Sequence, residues 1–299
     1  MVVLERLVFI VLNSFLFSSL CAEALFFDSY LSHVRNKPKE FAVIGERCSG
    51  TNFIEALVLQ NVPSLSSLYK NQKIGKRKAV LHKHFFPWLD LTCFGSPLIS
   101  YTEKLFWIPS YRDTLFIFVV RNPYDWIRSF YQNPWHVDLQ RMGLDERKTL
   151  FSFLSNEWHV LEKFSPIDEY LAHLSDNWNP YRERYFRNVL ELRTYKILNA
   201  LRLGQIVPNF IFVPYEKVLQ DPKGFINWLS WISHHEAVEP FASIDTYKGV
   251  QSNASFSPQN YSPFRAHELD FIEKNLDWEV ESWIGYEKNE VSIAESHQE

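Results

Sequence analysis

The sequence predicts an α/β protein in which a parallel sheet is flanked by helices, and three observations support that class. Short apolar runs such as residues 41–44 and 115–120 alternate with longer stretches of helical periodicity. Residues 115–120 (LFIFVV) are continuously apolar, which is typical of a parallel strand that is covered on both faces. The chain has 299 residues, of which 46% are hydrophobic and only 9 are glycine, so it can bury a sizeable, ordered core.

The first strand is predicted at residues 41–44, and the buried run 115–120 is the strand that precedes a helix beginning near Pro123. The remaining elements are a helix at 52–60, a helical region from 142 to 203, a strand at 211–213, a helix at 222–232 and a last amphipathic helix at 267–283.

The N-terminal segment predicts a secretory targeting signal. Residues 7–20 are apolar except for Asn13 and a few serines, and Ala22-Glu23-Ala24 supplies the small residues of a cleavage site. The run is shorter than the ~20 residues that span a bilayer. We therefore expect residues 1–24 to be a cleaved signal peptide. The alternative is an uncleaved type II anchor, and only in that case would the protein be attached to a membrane. Either one directs the chain into the secretory lumen, in the Golgi or on the way out of the cell.

One domain is expected at residues 37–286, followed by a disordered tail at 287–299. Residues 251–263 are rich in Ser, Asn and Pro and predict a surface loop. That loop contains two sequons, so Asn253 and Asn260 are candidate glycosylation sites.

Charge and cysteine content argue against nucleic-acid binding, a disulfide framework and a metal site. The net charge is −4, so no overall basic field suggests nucleic-acid binding. Of the three cysteines, Cys21 would leave with the signal, and Cys48 and Cys93 are too few for a disulfide framework, although one bridge between them stays open. No CxxC or clustered His/Cys spacing indicates a metal site, so no metal is expected.

Residues 41–53 (FAVIGERCSGTNF) predict a phosphate-binding loop between a strand and a helix. The free N–H groups and positive dipole end of such a helix attract anions, and Gly45 and Gly50 permit the tight backbone that the loop needs. The candidate side-chain ligands are Arg47, Ser49, Thr51 and Asn52. The alternative is that these residues only form a tight turn.

The loop has the glycine spacing of a Walker A motif but lacks the lysine that normally precedes the Ser/Thr. In nucleoside triphosphate sites that lysine meets the heavy charge of the β and γ phosphates. Its absence points to a shorter phosphate chain at the 5′ position.

A second anion site is predicted at residues 116–131 (FIFVVRNPYDWIRSFY). Arg121 stands at the carboxyl end of the buried strand, where open α/β sheets bind ligands. Asp125 and Ser129 follow on one helical face, so Arg121 and Ser129 together can bind a phosphate. The alternative is an ordinary ion pair between Arg121 and Asp125.

Together, GERCSGTNF and VVRNPYDWIRSFY resemble the two nucleotide-binding signatures of sulfotransferases that use PAPS (3′-phosphoadenosine 5′-phosphosulfate). Looser matches lie at 81–88, 210–229 and 276–286, so the resemblance covers nearly all of residues 37–286. It implies a fold like that of P-loop NTPases. It also implies transfer of a sulfuryl group from PAPS to a hydroxyl or amine, which in the secretory lumen favours a glycan or protein acceptor.

The resemblance also implies roles for individual residues. The 5′-phosphosulfate would be held by Arg47, Cys48, Ser49, Gly50, Thr51 and Asn52, and the 3′-phosphate by Arg121 and Ser129. His84 is the candidate base, because imidazole titrates near neutral pH, and Lys83 would stabilise the leaving group beside Arg47.

Cys48 departs from the family pattern, because many members carry Lys or Arg directly before the Ser-Gly. This departure keeps open a catalytically impaired binding protein of the same fold. A P-loop nucleotide kinase is the other alternative, against which the missing lysine and the Arg121…Ser129 pair both count.

Overall fold

The structure is a computed structural model that describes residues 31–68, 112–144, 149–161, 176, 178–179, 182–246 and 261–288. The predicted signal segment, the predicted glycosylation sites Asn253 and Asn260, the candidate catalytic residues Lys83 and His84 and nearly all of the predicted tail lie outside these residues. Among the helices that are described, none combines the length and the apolar character needed to cross a membrane.

The elements follow in chain order. They are β1 (His33–Val34), β2 (Glu40–Gly45), α1 (Thr51–Asn61), β3 (Ser66–Ser67), β4 (Thr114–Val120), α2 (Pro123–Gln132), α3 (Leu150–Ser155), β5 (Trp178–Asn179), β6 (Arg184–Tyr185), α4 (Val189–Ile206), β7 (Asn209–Pro214), α5 (Tyr215–Gln220), α6 (Pro222–Ser233), α7 (Ala266–Asn275) and α8 (Trp278–Trp283).

Within the described ranges, the main sheet has five strands in the order β1-β7-β4-β2-β3. The pairs β7-β4, β4-β2 and β2-β3 are parallel, and the short edge strand β1 runs antiparallel to β7. All seven residues of β4 are buried, as its unbroken apolar run predicts. The expected α/β class with a mostly parallel, helix-flanked sheet is therefore confirmed.

Helices cover both faces of this sheet. On one face α1 and α6 pack against it through apolar side chains such as Ile54, Leu57 and Phe225. On the other face α4 and α8 contribute Ile197 and Val280. Because both faces are covered, polar chemistry is concentrated at the strand ends, where β2 and β4 lead into α1 and α2.

The predicted helical region 142–203 is wrong in part. Among the residues that the structure describes in this region, α3 and α4 are helical, and the two-stranded β5-β6 ladder lies between them. The N-terminus of α4 is set by Asn188, whose side chain accepts a hydrogen bond of 2.9 Å from the Glu191 N–H. Because Asn188 caps α4 at this point, the helix begins at Val189, and the sequence pattern placed the helical region too far toward the N-terminus.

The predicted last helix at 267–283 is in fact two helices. The helix α7 ends at Asn275, and α8 begins after Asp277, whose side chain accepts from the Val280 N–H at 3.2 Å. An aspartate at this position favours a new N-terminus over continuation of the preceding helix.

Candidate anion-binding site

The loop between β2 and α1 has the backbone of a tight anion-binding turn. Gly50 is the residue before α1 and has φ of 93°, and Cys48 has φ of 63°. A Cβ on Gly50 would lie 2.2 Å from the ring of Tyr215, and one on Gly45 would lie 2.5 Å from the carbonyl oxygen of Val119. Both glycines are therefore required, by close contact at each and also by backbone conformation at Gly50.

The three polar side chains predicted as donors lie in different environments. Ser49 is fully buried, and its Oγ donates to the carbonyl oxygen of Glu46 at 2.6 Å, which closes the turn. Thr51 is buried at the start of α1, whereas Asn52 is exposed. Because Gly50 has no side chain with which to cap α1, the positive end of this helix faces the loop without a side-chain cap.

The side chain of Arg47 points into the interior beneath the loop. It is 1% exposed, and its Nη1 lies 2.9 Å from Oδ2 of Asp176. Its guanidinium carbon lies 5.9 Å from the ring centre of Phe130, and its carbonyl oxygen accepts from Nε1 of Trp126 at 2.8 Å. In this structure Arg47 therefore anchors the loop to α2 and to Asp176.

Cys48 occupies the bend of the loop, and its side chain is half-buried. Its Sγ donates to the carbonyl oxygen of Asn133, just beyond the end of α2, across 3.7 Å. Its own carbonyl oxygen accepts from Nη1 of Arg121 at 3.1 Å. The residue that departs from the family pattern is thus held between the two ends of α2.

Arg121 is brought directly to the loop, as its place at the end of β4 predicts. Besides Cys48, its guanidinium donates to the hydroxyl of Tyr261 at 3.1 Å and lies 5.3 Å from the ring centre of Tyr215. The alternative pairing with Asp125 is wrong, because Asp125 pairs with Arg128 at 2.8 Å. Within the described part of the chain, all the contacts of the Arg121 guanidinium are to neutral groups.

The backbone at the end of β4 is held by the buried side chain of Arg193 and the half-buried side chain of Glu216. Arg193 donates to the Arg121 carbonyl oxygen at 2.9 Å and forms a bidentate pair with Glu281 at 2.6 and 2.8 Å. Glu216 accepts from the Asn122 N–H at 2.7 Å. These contacts fix the direction in which the Arg121 side chain leaves the strand.

Ser129 lies on α2 and is buried, with 7% of its surface exposed. It is one helical turn before Asn133, whose N–H donates to the Ser129 carbonyl oxygen at 3.1 Å. The Asn133 carbonyl oxygen in turn accepts from the Cys48 thiol, which links the end of α2 to the loop.

Two tyrosines of the site were not predicted as functional residues. Tyr215 follows β7 and covers Gly50 and Arg121, and Tyr261 lies 5.7 Å from the Arg121 guanidinium carbon by its ring centre. Tyr215 directly follows an apolar strand in the sequence, as Arg121 does, and this position could have indicated that it lies at the ligand-binding edge of the sheet. The contact of Tyr261 depends on a distant part of the chain, and the sequence held no signal for it.

No set of three or more potential metal ligands occurs among the residues that the structure describes. Comparisons with protein-family models, with curated proteins and with solved structures found no match.

Proposed function

We propose that the protein is a sulfotransferase that moves a sulfuryl group from PAPS to a hydroxyl or amine of a glycan or protein in the secretory lumen. The observation that supports this most is the Arg121 guanidinium, which lies against the loop and contacts only neutral groups among the described residues. A cation held at the end of a parallel strand in this way is suited to an anionic ligand.

The two halves of the site match a ligand that carries two separate anionic groups. The loop offers the N-terminus of α1 and a backbone that approaches closely at Gly50, which suits a single phosphate with an attached sulfuryl group. Arg121 and Ser129 are proposed to bind a 3′-phosphate. A triphosphate with Mg²⁺ needs a lysine directly before the Ser/Thr of the loop, and here Gly50 is followed at once by Thr51.

In the proposed reaction the bond between sulfur and the bridging phosphate oxygen breaks while a bond from sulfur to the acceptor oxygen or nitrogen forms. PAPS supplies the sulfuryl group. The loop N–H groups would stabilise charge on the sulfuryl oxygens, and Arg121 and Ser129 would hold the nucleotide in position. His84 is proposed to take the acceptor proton, and Lys83 to stabilise the leaving phosphate.

A second candidate is a protein of the same fold that binds the nucleotide without transferring sulfate. It is favoured by the ion pair of Arg47 with Asp176, which holds that guanidinium beneath the loop. With Cys48 beside it, the loop presents no basic side chain of its own at the position where a sulfuryl group would lie.

Calorimetric titration of adenosine 3′,5′-bisphosphate, 5′-AMP and Mg-ATP into the purified protein distinguishes the nucleotide classes. We expect the bisphosphate to bind more tightly than either of the others, because only it has a phosphate for Arg121 and Ser129. Preference for Mg-ATP would instead identify a kinase and overturn the proposal.

A further inference from the structure

Four charged side chains form a buried network directly beneath the anion-binding loop. Arg47 and Lys196 each lie 2.9 Å from the carboxylate of Asp176, and Lys196 lies 3.6 Å from Oε1 of Glu46. The four side chains are between 1% and 10% exposed. Charges at such depth respond strongly to one another, because solvent does not screen them.

Glu46 is the member of this network with the weakest contacts. Among the described residues, neither of its carboxylate oxygens accepts a hydrogen bond, and the 3.6 Å to Lys196 is longer than a hydrogen bond. Its side chain borders a small cavity at the ends of β2 and β4, which Gly45, Arg121 and Arg193 also line. A buried carboxylate without donors is costly to keep ionised.

The protonation of Glu46 therefore sets the charge of the network. When Glu46 is ionised, the two cations Arg47 and Lys196 are balanced by two carboxylates. When it is protonated, the four described side chains together carry a net positive charge directly under the loop. The neighbouring Arg193 is balanced by its own partner Glu281 and does not change this balance.

We propose that Glu46 takes up a proton when the loop binds an anion, so that the affinity of the loop for anions is coupled to protonation. The Glu46 carboxyl affects anion binding through its charge, without contacting the anion. Glu46 is thus a residue that adjusts the binding site from the first position of the loop, directly after β2.

The electrostatic surroundings of Glu46 agree with this proposal. Burial raises the pKa of its carboxyl above the ordinary value. Lys196 opposes that change, Asp176 adds to it, and Arg47 and Arg193 oppose it. The charged groups that surround Glu46 therefore lie on α4, in the loop and in the segment that carries Asp176. A carboxyl with a raised pKa takes up a proton more readily than an exposed glutamate does, which is what the proposed coupling requires.

The sign of the coupling follows from linkage. An anion binds better to the protonated form, so the dissociation constant rises as pH increases through the pKa of Glu46 in the free protein. Uptake of one proton gives a loss of affinity that approaches about tenfold per pH unit. The inference rests on the loop being the anion site proposed above, but it does not depend on sulfate transfer.

Calorimetric titration with sodium sulfate from about pH 5 to about pH 8 tests the proposal, because sulfate keeps its charge over this range. For the wild-type chain we expect affinity to fall as pH rises. Glu46→Gln should bind sulfate with little pH dependence and, at the upper end, more tightly than wild type. The exposed Glu279→Gln is the matched control and should keep the wild-type slope.

A second variant guards against misfolding of Glu46→Gln. Asp176→Asn also removes a negative charge from the network, so it should bind sulfate more tightly and keep a pH slope, which moves to lower pH because Asp176 raises the pKa of Glu46. A flat wild-type profile, or a slope that persists in Glu46→Gln, would overturn the proposal. Absence of sulfate binding at every pH would overturn it together with the proposed function. Binding with the expected slope but without transfer from PAPS would overturn the enzyme alone.

Discussion

Substitution of Gly50 by alanine tests the geometry on which the site depends. The left-handed backbone at this position, with φ of 93°, costs a residue with a Cβ about 1–2 kcal/mol. The new methyl would also lie 2.2 and 2.3 Å from two carbons of the Tyr215 ring, which is buried and stacks edge-on with Phe53. Displacing a packed ring adds about 1–3 kcal/mol, so the total loss of unfolding free energy is about 2–5 kcal/mol.

Gly143→Ala is the matched control, because Gly143 also has a positive φ, 68°, but has nothing within 4 Å of an added Cβ. It should lose only the backbone contribution of about 1–2 kcal/mol. Urea unfolding, followed by tryptophan fluorescence, gives both values, and their difference measures the contact with Tyr215. Equal losses in the two variants would show that Tyr215 does not cover the loop and would refute this description of the site.

Three further predictions concern charged groups. Arg121→Met should weaken adenosine 3′,5′-bisphosphate about 10-fold to 150-fold in calorimetry, since a hydrogen bond to a charged group contributes about 1.5–3 kcal/mol. Arg193→Met should lower the unfolding free energy by about 3–5 kcal/mol, because it leaves Glu281 as a buried, unpaired charge. Burial acts to raise the pKa of Glu191, but hydrogen bonds from Arg184 and from the Arg187 N–H outweigh it, so the pKa is lowered in the folded state. The ionised Glu191 therefore stabilises the fold above about pH 4.3, and this stabilisation is lost as pH falls through the lowered pKa. Acid unfolding should therefore become less steep in Arg184→Met.

Controls separate these effects from general damage. For nucleotide affinity the control is Arg187→Met, whose side chain is 69% exposed, and equal weakening in both variants would contradict the role of Arg121. The double variant Arg193→Met/Glu281→Met should recover part of the stability that the single change loses, and further loss would contradict the buried pair. An unchanged acid profile in Arg184→Met would exclude Glu191 as the titrating group.

The sheet was predictable from the sequence because its strands are continuous apolar runs. The predicted strands at 41–44, 115–120 and 211–213 are extended by only one or two residues at their ends. The helix after the loop was also predicted closely, because glycine spacing and the buried stripe around Ile54 mark it independently. These elements could be predicted because the local sequence pattern and burial on both faces determine them.

The environment of the site residues could not be predicted in the same way. The burial of Arg47 depends on Asp176 and Phe130, which come from distant parts of the chain, so a basic residue in a loop gave no indication of an interior pair. The contact of Tyr261 with Arg121 likewise requires the tertiary fold. The ion pair that sequence spacing suggested for Asp125 forms with Arg128 instead, because Arg128 lies three residues further along the same helix, whereas Arg121 precedes the helix and contacts Cys48 and Tyr261.

Transfer of radiolabelled sulfate from PAPS to a panel of glycans and peptides is the most direct test of the proposed function. We expect label in at least one acceptor, with release of an equal amount of adenosine 3′,5′-bisphosphate, and loss of both products in Arg121→Met. A wild-type protein that binds adenosine 3′,5′-bisphosphate but labels no glycan or peptide would contradict the proposed enzyme and leave a nucleotide-binding protein in its place.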